Sequence, residues 1–176
     1  MSFLKELILH VGRIVFLRGS PERIYYTRRL FIVSLLLAVL ASAAVQTVLF
    51  DDHVVFVILR VFAELTMFML MMVVLTAKIA RFRLARMMLV LVLISLMADT
   101  LLTLIGAVVS YRTAEPQLVD TIAYAFAAVA LYGAANVTAW GLQRPLHVGA
   151  GVMLLYAIAS TGLDMAFRGL YEIMAA

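Results

Sequence analysis

Four charged residues, Arg60, Glu64, Asp99 and Asp164, interrupt long apolar stretches of this 176-residue chain. A charge in the middle of a membrane span costs at least ~2.5–3.5 kcal/mol on insertion scales, so each one needs a partner or a task. Arg60 and Glu64 are four residues apart, which puts them on one helical face with the guanidinium in reach of the carboxylate. Counting ~1.5 Å per residue from the outer end of each stretch, Arg60 lies about 9 Å deep, Glu64 about 15 Å, Asp99 about 17 Å and Asp164 about 5 Å. Glu64 and Asp99 thus meet near mid-membrane, Asp99 arriving on the adjacent antiparallel helix. Two chemistries fit this intramembrane cluster. In the first, Arg60 neutralises one acid, another is protonated or hydrogen-bonded, and the cluster locks the second, third and fifth spans in register. In the second, three acids against one base leave a carboxyl suited to carrying a proton or gating a cation.

Other polar side chains recur at helical spacing. Asp120, Tyr124, Ala128, Tyr132, Asn136 and Trp140 form a stripe on a helix rich in alanine, which marks it as the expected centre of the fold. Ser34, Ala38, Ser42 and Gln46 form a second stripe, Ser95, Asp99, Thr103, Gly106 and Ser110 a third, and Ala157, Thr161, Asp164 and Arg168 a fourth. Small and polar faces of this kind hold helices together in lipid. Catalytic patterns are missing. There is no cysteine, His10 and His147 fall on the inner side and His53 at the outer surface so that none face each other at membrane depth, and no His-Glu-x-x-His pair, Gly-x-Ser-x-Gly elbow or phosphate-binding glycine loop occurs. No enzyme activity, metal or cofactor is expected. Met67, Met69, Met71 and Met72 read as flexible apolar packing, and Asn136-Val137-Thr138 sits inside a span where glycosylation does not reach.

The elements that position these residues follow from composition. Hydrophobic residues make up 66% and charged residues 14%, and the mean hydropathy is +1.10, far more apolar than a soluble domain. About 20 apolar residues cross a bilayer, and the chain holds five such runs, 30–50, 54–77, 87–110, 118–140 and 148–167. Short loops predict antiparallel hairpins between neighbours. The expected fold class is therefore all-α, a polytopic bundle of five transmembrane helices over residues 19–176, preceded by an amphipathic interfacial helix at 1–18. Ala41-Ser42-Ala43 imitates a signal-peptidase site, but the apolar run continues to Phe50 and completes a span.

Basic residues set the orientation. Lys5, Arg13, Arg18, Arg23, Arg28, Arg29, Lys78, Arg81, Arg83, Arg86 and Arg144, eleven of the 14 basic residues, lie on one side. That side is read as cytoplasmic, in an inner or plasma membrane, with the C-terminus outside. Ten of the eleven sit in two juxtamembrane clusters, and these suit anionic headgroups or an acidic partner rather than nucleic acid. In the N-terminal segment, Lys5, Glu6, His10 and Arg13 fall on one side and Phe3, Leu4, Leu7, Ile8, Val11, Ile14 and Val15 on the other. Such a helix lies in the headgroup plane or packs on the bundle as a lid. Ser20-Pro21-Glu22 then predicts the start of a second helix, with Ser20 as N-cap and Pro21 at the first helical position.

The Ser-Pro-Glu-Arg lead-in, the five closely spaced spans, and Lys78-Ile79-Ala80-Arg81-Phe82 followed by Ala98-Asp99-Thr100-Leu101-Leu102 resemble the bacterial branch of the Yip-domain membrane proteins. The resemblance implies a five-helix bundle without catalysis, with eukaryotic relatives that contact small GTPases in vesicle traffic; it transfers no binding residue to this chain. The function expected from the sequence is a non-enzymatic interaction, scaffold or assembly subunit, partnered by lipid and by other membrane subunits or its own copies. The alternative is a small proton- or ion-coupled carrier or channel built on the acidic cluster.

Overall fold

The computed structural model describes residues 2–16, 19–49, 54–76, 79, 81–112 and 116–175. Arg18, His53 and Lys78, and the side chains of Gln46, Ser110, Asp120, Asp164 and Arg168, lie outside the described residues. Six α-helices and one 3₁₀ turn make up the described chain: α1 Ser2–Val15, the turn Pro21–Arg23, α2 Arg28–Leu49, α3 Val54–Thr76, α4 Arg81–Arg112, α5 Pro116–Leu142 and α6 Leu146–Ala175. Four of these helices contain stretches long and apolar enough to cross a membrane: Arg28–Val45, Arg81–Val108, Thr121–Leu142 and Leu146–Phe167. The remaining expected span coincides with α3.

Several boundaries differ from expectation. The third expected span begins earlier than residue 87, since the basic stretch Arg81–Arg86 opens α4, and α6 continues past Phe167 to Ala175. The helix expected from Ser20 is a single 3₁₀ turn. Ser20 does cap it, its hydroxyl oxygen accepting from the Glu22 amide at 3.3 Å, but Ile24 turns extended at φ −80°, ψ 121° and is buried at 3% exposure. Burying Ile24 outweighs continuing the turn. The chain resumes helix at Arg28, where Thr27 Oγ1 accepts from the Leu30 amide at 3.1 Å and serves as the effective N-cap.

The helices form a ring in which α2 packs on α4, α4 on α5, α5 on α6, α6 on α3 and α3 back on α2. The expectation of antiparallel pairs between all neighbours therefore fails once among the described residues: α3 and α4, though consecutive, make at most marginal contact, and α4 instead lies beside α2, which starts from the same basic end. The expected centre moves as well. Met87 and Leu89–Ile94 of α4 are all buried, which spans every side of a helix. By contrast Tyr124 and Tyr132 of α5 are 77% and 48% exposed. The stripe read as the central face of the fourth span instead points mostly outward, because α5 turns its small residues inward: Gly133, Ala134, Ala135 and Gly141 are buried.

Close approach is concentrated at the basic end of α5 and α6. A Cβ on Gly149 would collide with the Ala135 carbonyl oxygen and the Ala139 backbone nitrogen, so only glycine lets these two helices meet there. A Schellman motif ends α5: the Gln143 amide donates to Trp140 O at 3.1 Å and the Arg144 amide to Ala139 O at 3.0 Å. Gln143 takes the left-handed conformation at φ 53° that glycine usually supplies. Pro145 follows and the chain reverses into α6.

The N-terminal helix is docked. Val11 and Ile14 are fully buried, α1 packs on α5 and α4, and Val15 rests against Gly133. Asn136 Nδ2 donates to the Ile14 carbonyl at 3.1 Å, His10 Nε2 donates to the Ser20 carbonyl at 3.1 Å, and Arg86 Nη1 donates to the Glu22 carbonyl at 3.2 Å.

Candidate functional site

A cavity of about 470 Å³ lies in the middle of the ring, and all five long helices line it. Helix α2 contributes Ala38 and Ser42, α3 Glu64 and Phe68, α4 Ser95 and Asp99, α5 Ala127 and Leu131, and α6 Tyr156, Ser160 and Thr161. The walls are mostly aliphatic or aromatic, with a few polar groups converging between them. Ligand sites in proteins commonly have this size and makeup.

Each carboxylate is held by a neighbour. Arg60 Nε lies 3.6 Å from Glu64 Oε1 across one turn of α3, and the Ser160 hydroxyl of α6 donates to the same oxygen at 3.3 Å. The expected pairing of Arg60 with Glu64 is thus present, and the link from the second span to the fifth runs through Ser160. On α4 the Ser95 hydroxyl donates to Asp99 Oδ2 at 3.3 Å, while Thr103 returns its hydroxyl to the Asp99 carbonyl at 2.8 Å. Among the described residues no basic side chain forms an ion pair with Asp99. Glu64 and Asp99 share the cavity but face it from helices that do not pack together. Both residues line the one cavity, and a cavity lies where the sequence leads one to expect direct contact between adjacent helices. Phe68 and Tyr156 complete one wall, edge to face with centroids 6.2 Å apart.

Of the remaining expected site residues, Tyr124 and Tyr132 face away from the cavity and Asn136 serves the α1 contact. The side chains of Asp120 and Asp164 lie outside the described residues. Among the basic residues expected to meet headgroups, Lys5, Arg13, Arg28, Arg29 and Arg81 are exposed. Arg83 stands over the Phe82 ring at 5.8 Å, and Arg86 donates one N–H to the Glu22 carbonyl. Arg18 and Lys78 fall outside the described residues.

Ser160, Tyr156 and Phe68 are absent from the sequence-based site. The signal for two of them was present: Tyr156, Ser160 and Asp164 recur at intervals of four. Reading the polar face of that span one residue over, through Ala157 and Thr161, hid them. Phe68 has no polar marker, and only the ring contact with Tyr156 brings it to the site.

Chemically, two carboxylates, one guanidinium and several hydroxyls in a largely apolar chamber can hold a cation or pass a proton between oxygens. Among the described residues no three histidine, aspartate or glutamate side chains gather as a metal site. The chain matches no family model, no curated protein and no solved structure, so nothing found bears on the Yip-domain resemblance.

Proposed function

We propose that this protein is a five-span inner-membrane carrier or channel for a small, partly apolar cation, non-enzymatic, with α3 as the fifth crossing and the basic end in the cytoplasm. The observation that carries this reading is the cavity: five helices from one chain line an open cavity of about 470 Å³ that both Glu64 and Asp99 face. The cavity supports the carrier or channel alternative over the assembly-subunit reading, because it gives a single chain room for a ligand. Arg60 offsets Glu64, which leaves Asp99 as the carboxylate offered to an incoming cation. The Phe68–Tyr156 wall adds an aromatic surface for an organic cation's body and for cation–π attraction. A proton taken up by one of the two acids would compete with the cation, which is the simplest basis for exchange.

The test uses purified protein in nanodiscs and tetraphenylphosphonium as the probe. Wild type should bind it, and Asp99→Asn should weaken binding at least tenfold, about 1.4 kcal/mol, with an unchanged unfolding temperature. Glu64→Gln should weaken it as well. If wild type binds no probe and moves no protons in liposomes, while both variants unfold at lower temperature, the cluster is a structural lock and the carrier reading is wrong.

A further inference from the structure

The outward face of α1 is apolar where the sequence pattern leads one to expect charge. At about 100° per residue, Leu9 and Phe16 fall within about 20° of each other and opposite the docked residues Val11 and Ile14. Leu9 is 53% exposed and Phe16 67%. Lys5 and Arg13, both exposed, flank this pair on either side, so the face reads as basic, apolar, basic around the helix. A lid facing water has no use for a leucine and a phenylalanine at its summit.

The depth of α1 says what covers them. Its Ile14 carbonyl accepts from Asn136, and Asn136 lies six residues, or about 9 Å, inside the end of α5 at Leu142. Val15 sits against Gly133, deeper still. The C-terminal turn of α1 is therefore held against the flank of the bundle, below the level where the long helices end. There the surroundings on its free side are the headgroup and upper acyl region. Lys5 and Arg13 can bury their aliphatic stems beside Leu9 and Phe16 while their charges reach outward to phosphate. The surrounding charge is complementary to an anionic surface, since Arg23, Arg28 and Arg29 are also exposed near this end, against only Glu6 and Glu22.

We infer that α1 is a two-faced wedge: one face docks on α4 and α5, and the face bearing Leu9 and Phe16 enters the leaflet at the basic end, with Lys5 and Arg13 gripping anionic headgroups. This inference is independent of what the cavity carries.

The chain has no cysteine, so single-cysteine variants report without background. Spin labels at Leu9→Cys, Phe16→Cys and Glu6→Cys in full-length protein are placed in vesicles of phosphatidylcholine and phosphatidylglycerol, and relaxation by oxygen is compared with relaxation by a water-soluble nickel complex. Labels at 9 and 16 should be relaxed several-fold more by oxygen, at a depth of about 5–10 Å, and the label at 6 more by nickel. All three sites are exposed, so folding is preserved. Labels at 9 and 16 relaxed mainly by nickel place this face in water and overturn the inference; labels shielded from both reagents show a second copy covering it and overturn it equally. For the charge component, spin-labelled phosphatidylglycerol should associate with the protein more than spin-labelled phosphatidylcholine, and the excess should fall in the Lys5→Gln/Arg13→Gln double variant. An unchanged excess overturns the headgroup grip.

Discussion

At the basic end of the bundle Gly149 lets α6 ride directly on the α5 backbone and Val15 sits against Gly133, whereas one or two turns further along the same helices stand far enough apart to leave about 470 Å³ open. What differs is the side chain at the crossing point. Glycine removes the one carbon that would keep two backbones apart, and packing contacts follow, which in lipid are the main source of helix association. Around the cavity the inward positions carry Glu64, Asp99, Ser160 and Tyr156. Glu64, Asp99 and Ser160 take part in hydrogen bonds with neighbours, and Tyr156 meets Phe68 edge to face. One end of the molecule is closely packed, and its middle leaves a cavity.

Four substitutions probe that contrast. The largest effect is expected from Gly149→Leu, which drives a side chain into the Ala135 carbonyl and should cost about 3 kcal/mol or more by overpacking. The matched change Ala157→Leu, on the cavity wall, should cost less than about 1 kcal/mol because the side chain has room. Midpoints of unfolding in a sodium dodecyl sulfate titration compare the two; equal losses would mean that the middle is as tightly packed as the basic end. Next comes Asn136→Ala, which removes the donor to the Ile14 carbonyl. It should destabilise by about 1 kcal/mol and speed proteolysis of α1 while leaving probe binding in the cavity intact. The smallest effect belongs to Thr138, fully buried with its hydroxyl unpartnered among the described residues. Thr138→Val keeps the volume and removes that hydroxyl, so it should raise the unfolding midpoint by up to about 1 kcal/mol. A loss there would show that polar contacts, not packing, hold the basic end together.

Much of this arrangement was legible beforehand, and the failures have physical reasons. Runs of 20 apolar residues between charges mark membrane helices because the bilayer sets their length. The pairing of Arg60 with Glu64 was readable since both sit on one helix, where spacing alone decides contact. The central helix was misread because Tyr124 and Tyr132 look like an internal polar stripe, although a tyrosine is equally at home pointing outward toward lipid headgroups. The helix expected after Ser20 shortened to one turn because Ile24 gains more from the core than from continuing the helix. In α1 the stripe of Val11 and Ile14 was visible, but Leu9 and Phe16 on the opposite face were not singled out.

By itself the sequence determined that the chain folds into long apolar helices, four of them long and apolar enough to cross a membrane, and that Arg60 and Glu64 pair on one helical face, both consequences of length and spacing along single helices. Only the tertiary structure decided that α4 rather than α5 is enclosed, that α3 and α4 part company, and that the two acids face a cavity instead of each other's helix. Those outcomes depend on which helix faces meet, and that choice is made by small residues such as Gly149 and Gly133 whose partners lie on other helices.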